Sequence, residues 1–115
     1  LVSHNIVTCM DDALPASLSP EVHRVLREEL GFDGVVLTDD LAMGAIDQYT
    51  NDGSAAVLAI LAGNDMVVTT DYHRQIPLVV AAVETGKIPM EMIDAALGRV
   101  IGWKYDLGLI DDGDI

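Results

Sequence analysis

The sequence predicts an α/β fold in which parallel strands alternate with helices. Three short segments, at residues 1–4, 35–40 and 66–71, each run from apolar residues through a hydroxyl-bearing residue to an ionisable one. Apolar runs without alternation are typical of strands buried on both faces, as in a parallel sheet. The segments begin about thirty residues apart, which is the length of a strand and crossover helix that return to a parallel strand.

Helical patterns fill both intervals between these segments. Ser19 and Pro20 are typical of an N-cap and a first-turn proline, and Gly31 is a stop signal for the same helix. A second helix is expected from about residue 53 to 61, with a buried stripe formed by Ala56, Val57, Ile60 and Leu61. The order of elements is therefore βαβαβ.

Two further helices are expected after the third segment. The first has one apolar face and is closed by Gly86; the second begins at Pro89. The first face consists of Ile76, Val79, Val80 and Val83, and the second of Ile93, Ala96, Leu97, Val100 and Ile101. Residues 1–110 thus form one folded unit, followed by a polar tail at residues 111–115.

Two architectures fit this repeat. Eight such units close a (β/α)8 barrel, whereas a doubly wound open sheet also repeats βα units and binds ligands at the strand carboxyl ends. Periodicity alone does not choose between them. No GxGxxG or Walker-type loop follows any of the predicted strands, which disfavours the nucleotide-binding version of the open sheet.

Composition excludes several classes of function. Half of the residues are hydrophobic, which disfavours disorder, while 6 Lys and Arg against 19 Asp and Glu leave no basic surface for nucleic acid or anionic membranes. The longest apolar runs fall far short of the roughly 20 residues that a membrane span needs. The single cysteine, Cys9, excludes an internal disulfide and does not decide a cellular compartment.

Asp39 and Asp40 directly follow the second predicted strand. A carboxylate at that position suits a nucleophile, because the sheet fixes its backbone while its side chain faces the catalytic side of the fold. An aspartate there equally suits a cap or turn, and Asp40 precedes residues 41–46, which are expected to form a short helix. A metal site is disfavoured because the nearest histidine by sequence is His23, on a helix.

Several motifs in order resemble the catalytic domain of glycoside hydrolase family 3 β-N-acetylhexosaminidases. The family pattern is roughly PaSlS, LR, lGFdGvv(S/T)DDLxM and AGxDM. It corresponds here to residues 15–19, 26–27, 30–43 and 62–66, and the resemblance extends from Val2 to about Gly108. The resemblance implies that the chain is the C-terminal βα part of a (β/α)8 barrel that is incomplete as given.

The resemblance also implies roles for individual residues. Asp39 matches the nucleophile that forms a glycosyl-enzyme intermediate in the family. Asp40 and Met43 belong to the same loop and are expected to shape the sugar site. His4 matches a position facing the same rim, where a sugar contact is expected. No metal or cofactor is expected.

Other parts of the family pattern are absent from this sequence. A KHFPGHG-like loop that binds substrate, and an Asp-His acid/base pair, have no counterpart here. The chain is therefore expected to be inactive alone and to need the N-terminal part of the barrel or self-association as a partner. The expected parent enzyme cleaves β-linked N-acetylglucosamine from glycans or muropeptides. The alternatives are a β-glucosidase of the family, release of the sugar to phosphate, or a non-catalytic split-barrel assembly module.

Overall fold

The computed structural model describes residues 1–42, 46, 49, 54–111 and 113. A short 3₁₀ turn, Ala16–Leu18, precedes the first helix, which continues through a π-helical turn at Val25–Glu29. In chain order the α-helices of the described residues are α1 (Pro20–Arg24), α2 (Ala55–Ala62), α3 (Tyr72–Glu84) and α4 (Met90–Asp106). No helix in this part of the chain is long and apolar enough to cross a membrane.

Parallel pairing joins the three predicted strand segments in sequence order. Val2 bridges Thr38, and Leu37 bridges Met66, both in parallel. The Val2 N–H donates to the Leu37 carbonyl at 2.7 Å, and the Thr38 N–H donates to the Met66 carbonyl at 3.3 Å. The prediction that the second and third segments are parallel neighbours is therefore confirmed.

The strands are shorter than predicted. Each pairing among the described residues is an isolated bridge rather than a ladder. The first and third segments pair on one side only within those residues, so their outer edges gain no cross-strand hydrogen bonds that would lengthen them. These short segments still determine the direction and the order of the strands, and the position of the candidate site depends on both.

The predicted start and stop signals of α1 are confirmed. The Ser19 hydroxyl accepts from the Val22 N–H at 3.1 Å and donates to Asp11 Oδ2 at 2.7 Å, and Pro20 is the first helical residue. Gly31 follows the π-helical turn at a φ of 67°, a left-handed conformation that glycine adopts without strain.

Helix α2 is buried more completely than the predicted stripe. Ala56 and Val57 are buried, but Ile60 and Leu61 are only partly buried. Three alanines, Ala55, Ala59 and Ala62, are buried as well, because their small side chains allow neighbouring elements to approach α2 closely. One apolar cluster packs on α2 from the side of Leu18, Leu41 and Ile46, and a second joins it to α3 through Val57, Ala82 and Ile88.

Asp65 connects three elements at the start of the third segment. Its side chain is 1% exposed and accepts from Arg27 Nη2 at 2.6 Å and from Arg99 Nη1 at 2.7 Å. The Val36 N–H donates to the same carboxylate at 3.0 Å. The first helix, the second segment and α4 are thereby tied to one buried charge, a role that the sequence motif alone did not indicate.

Replacing Asp65 tests this connection. Asp65→Ala leaves two arginines without their partner, and we expect the free energy of unfolding to fall by about 3 kcal/mol, the low end for a buried pair because both arginines keep some contact with water. Asp71→Ala is the matched control, because its partner Arg74 is 64% exposed; its loss should stay below ~1 kcal/mol. Urea unfolding at one protein concentration, followed by circular dichroism, measures both, and equal losses would contradict the assignment.

Candidate active site

The carboxyl ends of the three segments lie together. The His4 Nε2–H donates to the Asp40 backbone carbonyl at 2.7 Å, which joins the first segment to the second. The Thr70 N–H donates to Asp40 Oδ1 at 3.2 Å, which joins the second segment to the third. Parallel strands place their carboxyl ends on one edge, so this edge forms the candidate site.

Asp39 is held at both its backbone and its side chain. Its N–H donates to the Val2 carbonyl at 3.0 Å, and its Oδ1 accepts from the Asp40 N–H at 2.8 Å. Its residue surface is partly buried, and no described residue hydrogen-bonds the second oxygen, Oδ2. Among the described residues, one carboxylate oxygen of Asp39 is therefore anchored and the other has no partner, an arrangement that suits a nucleophile.

Asp40 anchors the loop that follows Asp39. Its Oδ1 accepts from the Ala42 N–H at 2.9 Å as well as from Thr70. These N–H donors, the Ala42 one foremost, hold the pKa of the Asp40 carboxyl below its ordinary value, and partial desolvation opposes them. The bond to Ala42 is the turn contact expected of a capping aspartate, while residues 43–45 of the helix expected at residues 41–46 lie outside the described residues.

Thr38 contributes a contact that the sequence did not reveal. Its side chain is fully buried, and its Oγ1 accepts from the Val68 N–H at 3.1 Å. The hydroxyl therefore takes the place of a backbone acceptor between the second and third segments. A hydroxyl-bearing residue before Asp39 thus serves the sheet, and this function explains its position in the motif.

His4 contacts protein groups through both ring nitrogens. Nδ1 lies 2.7 Å from Ser17 Oγ, and Nε2 donates to Asp40 as described. The structure thus brings His4, Asp39 and Asp40 together, and it adds Ser17, which the sequence offered only as part of a motif. Met43 lies outside the described residues, and its expected sugar contact stays a prediction, as do those of His4 and Asp40.

His23 lies away from this edge. It is buried, its Nδ1–H donates to the Ser19 carbonyl at 2.7 Å, and its Nε2 lies 3.0 Å from Asn64 Oδ1. A cavity of about 270 Å³ beside it is lined in part by Arg27, Asp65 and Arg99, which are already paired with one another. Within the described ranges, no three His, Cys, Asp or Glu residues are grouped to hold a metal ion.

Comparisons with known proteins identify a family and several relatives. Residues 1–102 match the model of the glycosyl hydrolase family 3 N-terminal domain. A β-hexosaminidase from Thioalkalivibrio sulfidiphilus is 35% identical over 105 residues, covering 90% of this chain and 30% of that protein. A periplasmic β-glucosidase from Salmonella typhimurium is 35% identical over 95 residues, covering 76% of this chain and 12% of that protein.

A solved structure from the same family also matches the chain. The glycoside hydrolase family 3 β-N-acetylglucosaminidase from Paenibacillus sp. str. FPU-7 matches with a TM-score of 0.73 at 45% identity, covering 81% of this chain and 19% of that one. The chain spans less than a third of the length of each of these three proteins.

The anchoring role of Asp40 predicts a pH dependence. Because its pKa is lower in the folded chain, ionised Asp40 stabilises the fold above the unfolded value of about 3.9, and this contribution is lost as pH falls through the folded value. Asp40→Ala should therefore be less stable than the parent at pH 7, and the gap should narrow below about pH 4.

Urea unfolding across this pH range measures that gap. Asp40→Asn is the matched control, because it keeps an acceptor oxygen and removes the titration, so its stability should decline less steeply on acidification. A gap between Asp40→Ala and the parent that widens as pH falls would contradict the anchoring role.

Proposed function

The chain belongs to glycoside hydrolase family 3, and on that premise we propose that it supplies the nucleophile of a retaining glycosidase. The proposed substrate is a glycan or muropeptide bearing β-linked N-acetylglucosamine. Asp39 is the proposed nucleophile. The observation that carries the proposal is the placement of this carboxylate at the shared carboxyl-end edge, with Oδ1 anchored by the Asp40 N–H and Oδ2 unengaged by any described residue.

The proposed reaction has two displacements. In the first, Oδ2 of Asp39 forms a bond to the anomeric carbon while the glycosidic bond breaks, and the leaving oxygen takes a proton from a general acid. In the second displacement, the group that was the general acid acts as a base and removes a proton from water. The water oxygen attacks the anomeric carbon, and the bond to Asp39 breaks. Two inversions give net retention.

The general acid/base is proposed to come from a segment outside these 115 residues. The family resemblance assigns that role to an Asp-His pair on an earlier loop, with no counterpart in this sequence. Retaining enzymes hold the two catalytic groups about 5–5.5 Å apart. The edge occupied by His4, Asp39 and Asp40 is where such a loop would have to reach.

The proposed architecture is the C-terminal part of a (β/α)8 barrel. Residues 1–110 are proposed to form that partial domain and residues 111–115 a polar tail. Parallel pairing in sequence order, helices between the strands and functional groups at the carboxyl edge all support this proposal. His4, Asp40 and Met43 are proposed to line the sugar site at that edge.

The sugar at the cleavage site has two candidates. Similarity to the β-N-acetylglucosaminidase from Paenibacillus, at 45% identity, favours N-acetylglucosamine. Similarity to the periplasmic β-glucosidase from Salmonella typhimurium, at 35% identity, keeps glucose as the alternative. Comparing kcat/KM on an aryl β-N-acetylglucosaminide and the matching aryl β-glucoside decides between them.

The nucleophile is tested in the longer enzyme that contains this chain. Asp39→Asn keeps the shape of the side chain and removes its charge, so kcat should fall by about three orders of magnitude or more with folding intact. Asp33→Asn is the control for loss of one surface carboxylate, since Asp33 is exposed. Retention of most activity in Asp39→Asn would overturn the proposal.

Chemical rescue makes this test sharper. Asp39→Gly leaves room for azide at the site of the lost carboxylate, and azide attack on the anomeric carbon should give the α-glycosyl azide from a β-glycoside. Rescue in Asp40→Gly but not in Asp39→Gly would move the nucleophile by one position.

The 115-residue chain alone should be inactive and should associate. Several large apolar side chains of α3 and α4 are exposed, including Tyr72, Ile76 and Val80 at one-turn spacing and Leu97. Such a stripe favours assembly with the rest of a barrel or with a second copy. Light scattering should show species larger than a monomer and no hydrolysis of the aryl glycoside; a stable monomer would contradict the association.

A further inference from the structure

The tautomer of neutral His4 is determined by its two hydrogen-bond partners. A backbone carbonyl only accepts hydrogen bonds, so the contact of Nε2 with the Asp40 carbonyl at 2.7 Å requires a proton on Nε2. In the neutral ring, Nδ1 is then an acceptor, and the Ser17 hydroxyl at 2.7 Å is its donor. Ser17 is fully buried, so its hydroxyl depends on a protein partner of this kind.

Ser17 is a rigid support for this ring. Its N–H donates to the Ser3 carbonyl at 3.0 Å, and its carbonyl accepts from Asn64 Nδ2 at 2.8 Å. Asn64 is itself buried and donates a second time, to the Ala59 carbonyl of α2 at 2.8 Å. The hydroxyl that meets His4 is therefore fixed to the first segment and, through Asn64, to α2.

The other end of the ring fixes the loop after Asp39. The peptide group between Asp40 and Leu41 is held from both sides, since His4 binds its carbonyl and the Val68 carbonyl accepts its N–H at 2.8 Å. Fixing this peptide restricts the orientation of Asp40, whose N–H in turn holds Asp39 Oδ1 at 2.8 Å. Hydrogen bonds therefore connect Ser17 to His4, His4 to the Asp40 carbonyl and the Asp40 N–H to the proposed nucleophile, with the backbone of Asp40 joining the last two.

We propose that His4 is a positioning residue for Asp39, and that Ser17 sets the ring orientation and tautomer that this role requires. The inference rests on the proposed function of Asp39. It assigns His4 a contribution through the loop, because a sugar hydroxyl could engage either ring nitrogen only by displacing a 2.7 Å hydrogen bond. The expected consequence of losing the pair is a lower kcat with little change in KM.

Two amide substitutions in the longer enzyme separate the two ends of the ring. The amide nitrogen of His4→Gln can take the place of Nε2 and keep the bond to the Asp40 carbonyl. The amide of His4→Asn can take the place of Nδ1 and keep only the contact with Ser17. Misplacement of a reacting group by about 1 Å costs on the order of 10²-fold. We therefore expect His4→Asn to lose about 100-fold in kcat and His4→Gln to stay within about tenfold of the parent.

Ser17→Ala tests whether Ser17 supports the His4 ring. It removes the donor to Nδ1 and leaves the bond to Asp40, so kcat should fall by about tenfold, with KM within about threefold of the parent. Long-range ¹H–¹⁵N NMR of the longer enzyme, labelled at histidine, reads the tautomer directly and needs no activity. In the neutral ring it should show the tautomer with the proton on Nε2 and none on Nδ1.

Three outcomes would overturn this inference. Equal losses of kcat in His4→Gln and His4→Asn would show that the contact with the Asp40 carbonyl does not matter. Losses confined to KM would make His4 a substrate-binding residue alone. A neutral ring protonated at Nδ1 would contradict the geometry even if the kinetics agreed. The proposed function fails separately, through Asp39→Asn, and the tautomer measurement is independent of that result.

Discussion

The structure depends on hydrogen bonds that converge on Asp40 at the carboxyl edge of three parallel segments. Its carbonyl accepts from His4 of the first segment, and its carboxylate accepts from the Thr70 N–H near the end of the third. Among the described residues the strand pairing consists of isolated bridges, so these contacts at the edge contribute strongly to how the segment ends are arranged. They add to the direct anchoring of Asp39, whose N–H donates to the Val2 carbonyl and whose Oδ1 accepts from the Asp40 N–H.

Two carboxylates hold opposite ends of this small sheet by different means. Asp65, before the third segment, is buried and engages Arg27 and Arg99, two of only six Lys and Arg residues in the chain. A buried carboxylate needs such compensation, since an unpaired charge there costs several kcal/mol. Asp40 is only partly buried, and backbone N–H groups suffice for it. The two carboxylates are thus stabilised differently, Asp65 by two arginines and Asp40 by backbone N–H groups.

Sequence reasoning predicted what local patterns encode. The cap at Ser19, the stop at Gly31 and the parallel order of the segments were all readable, because each depends on a few neighbouring residues or on a repeat length. It also predicted that His4 and Asp39 lie at one edge, which follows from strand ends in a parallel sheet.

Hydrogen bonds between residues far apart in the sequence could not be predicted in the same way. Ser17 and Asn64 are separated by 47 residues, and Thr38 pairs with a backbone N–H thirty residues away. Their side chains carry no local signal for these bonds, since serine, asparagine and threonine have many possible partners. The extent of burial of α2 was underestimated for a related reason, because alanines on several faces gain their neighbours only from the tertiary fold.

Asp39 is proposed to form a covalent bond to the sugar. A fluorosugar that forms the glycosyl ester quickly and releases it slowly should trap that ester in the longer enzyme, and peptide mapping by mass spectrometry should place the added sugar mass on Asp39. The added mass on Asp40 would contradict the residue assignment, and the absence of any adduct under conditions where the enzyme turns over would contradict the retaining mechanism itself.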